Sequence, residues 1–429
     1  MNTETLPVAI IGGGPVGLAA AAQLTQRSQA FQLFEAGEQL GANFLDYGHV
    51  RLFSTWEYNM DDAAKALLLK HGVELPESGN LPLGKEIATD YLQPLGELPE
   101  MKPFIHLKSK VIHISRKGLS KVKTAGREEV PFELLVASEE TGGEKFLARA
   151  VIDATGTWHN PNPLISGGLP SAESKSIHTG LPDLLGSDRS RFENKRIAVI
   201  GSGHSAFNTI LDLAEIQKQA PQTAITWIIR RPNLASILGG GSGDQLAERG
   251  ALGTRVHGAV QESSIDLRTS CLIHDYREGE DGAISLHVTE NGTEQELGPF
   301  DEIIANTGSH PNFDFLREVR YSMDPALESV PELAPLIDPN IHSCGTVRPH
   351  GEKELRQPEK DFYIIGAKSY GRAPTFLMAT GYEQARSVAA YLAGDYESAK
   401  RVELNLPETG VCSSRPLILQ KVGTSTACC

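Results

Sequence analysis

The stretch Pro7-Val8-Ala9-Ile10-Ile11-Gly12-Gly13-Gly14-Pro15-Val16-Gly17 decides how this chain is read. An apolar run of strand length, Pro7 to Ile11, leads straight into a glycine-rich turn. Leu18 to Arg27 follows, rich in Ala and Leu and free of breakers, which predicts a helix. Phe31 to Phe34 predicts a second buried strand, ending at Glu35. Strand, turn, helix, strand and acid in this order form a β-α-β unit with G-x-G-x-x-G at its first turn. Gly12 allows the tight turn, Gly14 lets backbone approach a pyrophosphate, and Gly17 permits close helix packing. The free N–H groups and partial positive charge at the helix start favour phosphates. Gly12, Gly14, Pro15 and Gly17 are therefore candidate dinucleotide-contacting residues, and Glu35 can accept hydrogen bonds from a ribose diol.

The pattern returns in mid-chain. Arg196 to Ile200 predicts a strand, Gly201-Ser202-Gly203-His204-Ser205-Ala206 a turn, Phe207 to Ile216 a helix, and Ala224 to Ile229 the next strand. This second strand ends in Arg230-Arg231 instead of an acid. Two guanidinium groups there suit a 2′-phosphate, which an acid would repel, so the second site favours NADPH over NADH. The alternative is a solvated turn before Pro232. Two further strand-to-turn segments punctuate the chain, Val151-Ile152-Asp153-Ala154-Thr155-Gly156 and Ile303-Ile304-Ala305-Asn306-Thr307-Gly308. Each is followed by Pro-Asn, at Pro161-Asn162 and Pro311-Asn312. Asn160 to Gly186, rich in Pro, Gly and Ser, reads as an interdomain crossing. Phe362 to Gly366 predicts another buried strand, and Phe376 to Leu392 a helix interrupted by Gly381.

The whole chain has 429 residues, enough for two or three domains. Fifty-four acids against forty bases give a formal charge of −14, which repels phosphate backbones and argues against nucleic acid as a partner. No apolar run approaches the ~18 residues of a membrane span, and the polar start carries no visible signal peptide. Five cysteines, three in the last eighteen residues, do not make a disulfide framework, so the expected location is the cytoplasm.

The layout resembles flavoproteins with two dinucleotide-binding domains, one nested in the other, over about residues 5 to 395. Disulfide reductases, thioredoxin reductases and flavin-containing monooxygenases share it. The resemblance implies an α/β fold of two Rossmann-like three-layer domains. An FAD-binding domain would span 1–165 and 312–400, an NADPH-binding domain 190–311, and a Cys-containing tail 401–429. It implies FAD at Gly12, Gly14, Pro15, Gly17, Glu35, Thr155, Gly156 and Gly366, with Arg51 and Ser54 beside the ring. It implies NADPH at Gly201, Ser202, Gly203, His204, Ser205, Arg230, Arg231, Thr307 and Gly308.

The C-x-x-C and C-x-x-x-x-C pairs of the disulfide-reductase branches are absent. Ala154-Thr155-Gly156-Thr157-Trp158 and the later Pro161-Asn162-Pro163 are similar to a segment of flavin-containing monooxygenases. In that branch Arg51 would stabilise reduced flavin, Trp56 would shape the cavity over the ring, and Asn59 would act above it. The alternative is a surface loop with core aromatics. Adjacent thiols at Cys428-Cys429, with Cys412 as a third, are soft ligands that suit trivalent arsenic, Hg(II) or Cu(I). The alternative is an incidental tail. Together these readings favour a monooxygenase that uses O2 and a flavin C4a-hydroperoxide to oxidise a soft small molecule such as a trivalent arsenical. The other reading is an NADPH-dependent reductase of a thiol-bound metal ion or small disulfide. Dimers are common in the superfamily, and a homodimer is compatible with the resemblance.

Overall fold

The computed structural model describes residues 3–137, 143–170, 172–238, 247–341, 350–374 and 376–404. The chain begins with β1 (Val8–Ile11), the helix Pro15–Gln26 and β2 (Phe31–Phe34), and later adds β3 (Ile105–His106). An antiparallel meander follows: β4 (Val111–Arg116), β5 (Phe132–Val136) and β6 (Glu144–Ala148). The chain then enters β7 (Ala150–Asp153) beside β1, with Val8 opposite Ala150 and Ile11 opposite Asp153. Every residue of β1 and β7 is buried, as expected of parallel strands covered on both faces.

The second half repeats this order. β8 (Ile177–Thr179) precedes β9 (Arg196–Ile200), the helix His204–Gln219, β10 (Ala224–Ile228) and β11 (Ile265–Arg268). A second meander, β12 (Cys271–Glu278), β13 (Ile284–Glu290) and β14 (Thr293–Phe300), leads into β15 (Glu302–Ala305). β16 (Phe362–Ile364) then returns to the first sheet and pairs with β7. The two parallel sheets read β16-β7-β1-β2-β3 and β8-β15-β9-β10-β11, each with its fingerprint strand in the middle. The expected α/β class with two Rossmann-like units is what the chain adopts. β8 lies inside the Pro-, Gly- and Ser-rich stretch read as a crossing, and it is the edge strand of the second sheet.

The helix Pro15–Gln26 is buried along most of its length and packs against Met378–Leu392. Gly381 does not interrupt that second helix. A Cβ at Gly381 would lie 2.5 Å from Val16 Cγ2 and 2.8 Å from Phe376 Cζ. The glycine costs the helix about 1 kcal/mol in propensity, and its missing side chain admits the close crossing. Among the described residues no helix is long and apolar enough to cross a membrane.

Asp61 fixes the segment next to the fingerprint helix. It caps the helix Asp62–Lys70 by accepting from Ala64 N at 3.0 Å, and Gln23 Nε2 donates to it at 3.1 Å. Burial pushes its pKa up to about 6, against the opposing pull of these hydrogen bonds. The folded state therefore binds this proton more tightly than the unfolded state, so stability falls as pH rises from about 4 to about 6. A shift of that size corresponds to about 3 kcal/mol. Asp61→Asn retains a capping oxygen. It is expected to flatten the fall in Tm between pH 4 and 6; an unchanged pH profile would show that Asp61 carries no such shift.

Candidate functional site

The carboxyl ends of the parallel strands carry the expected turns. Gly12 has φ +106°, and a Cβ there would come within 2.7 Å of Ala154 O. The fingerprint turn is thus pressed against the Thr155-Gly156 turn. A Cβ on Gly17 would sit 1.9 Å from Gly12 O, so helix and turn meet backbone to backbone. Gly14 differs: it is the N-cap of the helix, and its Cβ would meet nothing within 4 Å. Pro15 follows inside the first turn, where its missing N–H is no loss. The Glu35 carboxylate accepts from Gly13 N at 2.5 Å and Gly37 N at 2.6 Å, which fixes it beside the turn. Two glycines demanded by contact, one facing open space at a helix start, and an oriented acid fit the diphosphate and ribose of a dinucleotide.

The second fingerprint has the same build. Gly201 has φ +132°, and its Cβ would strike Asn306 O at 2.1 Å. Gly203 is the helix N-cap, with extended backbone like that of Gly14, and a Cβ there would also meet nothing within 4 Å. Ser202, His204 and Ser205 flank it and are half-buried, while Ala206 is fully buried in the glycine's usual place. Arg230 and Arg231 are exposed at the end of β10, where a 2′-phosphate would be met. Asn306 Oδ1 accepts from Thr209 Oγ1 at 3.0 Å, and its Nδ2 donates to Gly180 O at 2.6 Å.

The two Thr-Gly turns are fastened together. Thr157 Oγ1 accepts from Ser309 Oγ at 2.9 Å, and Pro161 bridges Ser309. Thr307 Oγ1 donates to Asn162 O at 2.5 Å, Asn162 N donates to Gly308 O at 2.9 Å, and Gly156 and Gly308 both have positive φ. Beside this seam lies a cavity of about 770 Å³, lined by Gly48, His49, Lys85, Trp158, His178 and Gly180 among others. The Trp158 indole donates to Asp46 at 2.8 Å and lies against Tyr47, with ring centres 4.6 Å apart. Phe53 touches His204 of the second fingerprint at 5.0 Å between ring centres. The cavity is thus lined from both units, by the 45–49 and 158–161 segments on one side and the end of β8 on the other.

The residues expected at the flavin ring divide by environment. Arg51 is exposed and donates to Leu81 O at 2.6 Å. Trp56 is buried in the core. Ser54 Oγ donates to Asn59 Oδ1 at 2.9 Å, and Asn59 Nδ2 donates to Ser54 O at 2.7 Å, so the two lock each other. Gly366 has φ +71°, and its N donates to Gln384 Oε1 at 2.7 Å. Sequence reasoning does not reach Lys368, two residues on, whose ammonium is wholly buried against Asp153 at 2.7 Å. A lysine so soon after the apolar run Phe362–Ile365 is the available signal.

Cys412, Cys428 and Cys429 lie outside the described residues, as does Cys344. Among the described residues no cluster of His, Cys, Asp and Glu could hold a metal ion. Cys271 lies in β12 of the second meander, and burial pushes its thiol up to about 11. It is expected to resist iodoacetamide at pH 8 in the folded protein and to react after unfolding. Rapid labelling in the native state would contradict this placement.

Two dinucleotide fingerprints, one at the middle strand of each parallel sheet, define a flavin- and pyridine-nucleotide-dependent oxidoreductase. The chain belongs to the pyridine nucleotide-disulphide oxidoreductase family, which it matches over residues 9–335. It is 28% identical over 309 residues to a ferredoxin–NADP reductase of Pediococcus pentosaceus, covering 71% of this chain and 74% of the relative. It is 28% identical over 207 residues to the indole-3-pyruvate monooxygenase YUCCA1 of Oryza sativa, covering 48% of this chain and 44% of that protein. The bacillithiol disulfide reductase structure from Bacillus cereus aligns at a TM-score of 0.66 and 18% identity, over 91% of this chain and 99% of that one, a likeness of fold. FAD and NADP(H) are its cofactors, and the enzyme is an NADPH-dependent flavoprotein oxidoreductase.

Proposed function

We propose that this protein is a monooxygenase that oxidises a soft nucleophile, a trivalent (organo)arsenical, to the pentavalent form. The observation that carries the reading is a cavity of about 770 Å³ beside the joined Thr-Gly turns, while the one described cysteine, Cys271, is buried in the second meander. A dithiol relay has no residues in the described core to run through, whereas the cavity has room for a small molecule. The monooxygenase relative from Oryza sativa supports the same branch. Bound FAD supplies the hydride acceptor and the point of reaction with O2. The trivalent arsenical, NADPH, a proton and O2 give the pentavalent oxide, NADP⁺ and water.

The chain divides the work between its units, 1–165 with 312–400 for FAD and 190–311 for NADPH. Gly12, Gly14, Pro15, Gly17, Glu35, Thr155, Gly156 and Gly366 form the FAD cradle. Gly201 to Ser205, Arg230, Arg231, Thr307 and Gly308 receive NADPH. Arg51 is the cation offered toward the ring, Trp56 shapes the cavity over it, and Asn59, locked to Ser54, acts above it. Trp158 and His178 wall the cavity and limit water. Cys428 and Cys429, with Cys412, deliver the arsenical as thiolate ligands.

Likeness to a ferredoxin–NADP reductase favours a second reading, an NADPH-dependent reductase of a thiol-bound metal ion or small disulfide that needs no O2. The deciding experiment is NADPH oxidation by the FAD-loaded protein with a trivalent arsenical, in air and under argon. Arsenical-stimulated oxidation that stops under argon is expected; stimulation that persists there establishes the reductase. Cys428→Ser with Cys429→Ser is expected to raise the KM for the arsenical at least tenfold, and an unchanged KM would remove the tail from the mechanism.

A further inference from the structure

We propose that Lys368 is a positioning residue for FAD, a buried ammonium that locks both flavin-side turns to the segment returning from the second unit. Its side chain and that of Asp153 are both inaccessible to solvent, and Nζ lies 2.7 Å from Asp153 Oδ2. Nζ also donates to Thr155 Oγ1 at 3.1 Å. Thr155 in turn donates from Oγ1 and N to the other oxygen, Asp153 Oδ1, at 2.7 and 3.1 Å. Carboxylate, hydroxyl and ammonium therefore form one closed array that fixes the Thr155-Gly156 turn at the end of β7. A wholly buried charge persists only when such partners satisfy it.

The array reaches two other segments. Lys368 follows Gly366, whose would-be Cβ lies 3.4 Å from Val16 of the fingerprint helix. Gly12, at the start of the same fingerprint, abuts Ala154, which precedes Thr155. The fingerprint turn, the Thr155-Gly156 turn and the Gly366 turn thus touch in sequence, and Lys368 joins the last two. Its ammonium also lies 4.5 Å from the centre of the Phe315 ring and 5.2 Å from that of Phe313. These aromatics lie just past the second Thr-Gly turn, where the chain crosses back, and a ring face attracts a cation. Burial lowers the lysine's pKa and Asp153 opposes that shift. With no access to solvent, the group acts through what it holds in place. Its role is independent of whether the electron acceptor is O2 or a disulfide.

The test separates positioning from plain stability. Lys368→Met alone leaves Asp153 buried and unpaired, so the informative protein is Lys368→Met with Asp153→Asn, in which the charge is removed from both sides. FAD is titrated into the full-length apoprotein and followed by its fluorescence, alongside Tm of the FAD-free chain. The double variant is expected to keep the apoprotein Tm within a few degrees of wild type while the Kd for FAD rises at least tenfold. Phe315→Ala, which retains the ion pair and lies outside every recognised flavin motif, is expected to raise that Kd about threefold. Wild-type FAD affinity in the double variant would overturn the proposal. So would an affinity loss matched by a collapse of apoprotein Tm, because that marks a structural pair; if the double variant does not fold, an unchanged Kd in Phe315→Ala overturns it as well.

Discussion

Gly14→Ala is expected to leave the apoprotein intact and to weaken FAD binding about a hundredfold, on the order of 3 kcal/mol. The asymmetry follows from what each glycine faces. Nothing lies within 4 Å of a Cβ at Gly14, and its φ of −82° suits alanine, so folding has little to lose. That open space lies at the uncapped start of the helix Pro15–Gln26, where the cofactor's phosphates approach backbone. A methyl group there displaces phosphate, not protein. Gly17→Ala is the contrasting control. Its Cβ would overlap Gly12 O at 1.9 Å, so the folded state itself is expected to lose about 2–3 kcal/mol, with FAD loss as a consequence. Thermal unfolding of the apoprotein and FAD titration distinguish the two variants. Equal loss of apoprotein stability in both would mean that the turn is not the open cradle described.

Arg230→Ala with Arg231→Ala is expected to cut kcat/KM for NADPH about thirtyfold while leaving that for NADH nearly unchanged. Both guanidinium groups are exposed just past the end of β10, one and two residues beyond the place that Glu35 holds after β2. The loss should shrink as salt rises, because an exposed charge contact is screened. An unchanged NADPH-to-NADH ratio would return the pair to a solvated turn before Pro232.

Much of this was legible in sequence because fingerprint turns are local. Gly12, Gly17 and Gly201 are forced by contacts within a few residues or with one adjacent strand, and the pattern carries those contacts. The Thr155-Gly156 and Thr307-Gly308 turns follow buried strands whose apolar runs are equally plain. β8 was hidden because three residues, Ile177–Thr179, are too short for a period to emerge inside a Pro-, Gly- and Ser-rich stretch. Gly381 misled for the opposite reason. Read locally it breaks a helix, whereas its cause is the crossing of Val16 from a helix more than 360 positions away. Lys368 escaped notice because its partners, Asp153 and the Phe313–Phe315 segment, meet it only after the chain has returned to the first sheet. The segment 48–59 was placed by resemblance alone. Its burial pattern, with Trp56 and Asn59 inward and Arg51 outward, is set by packing against distant elements such as Tyr382, whose hydroxyl donates to Asn59 O at 2.7 Å.

Oxygen transfer is the central claim, and isotopic labelling tests it most directly. The FAD-loaded enzyme is run with NADPH and a trivalent arsenical under ¹⁸O₂ in ordinary water, and the pentavalent product is weighed by mass spectrometry. One ¹⁸O atom per product molecule is expected, formed with one NADPH consumed. Product that carries oxygen only from water, or NADPH consumption without pentavalent product, would contradict it.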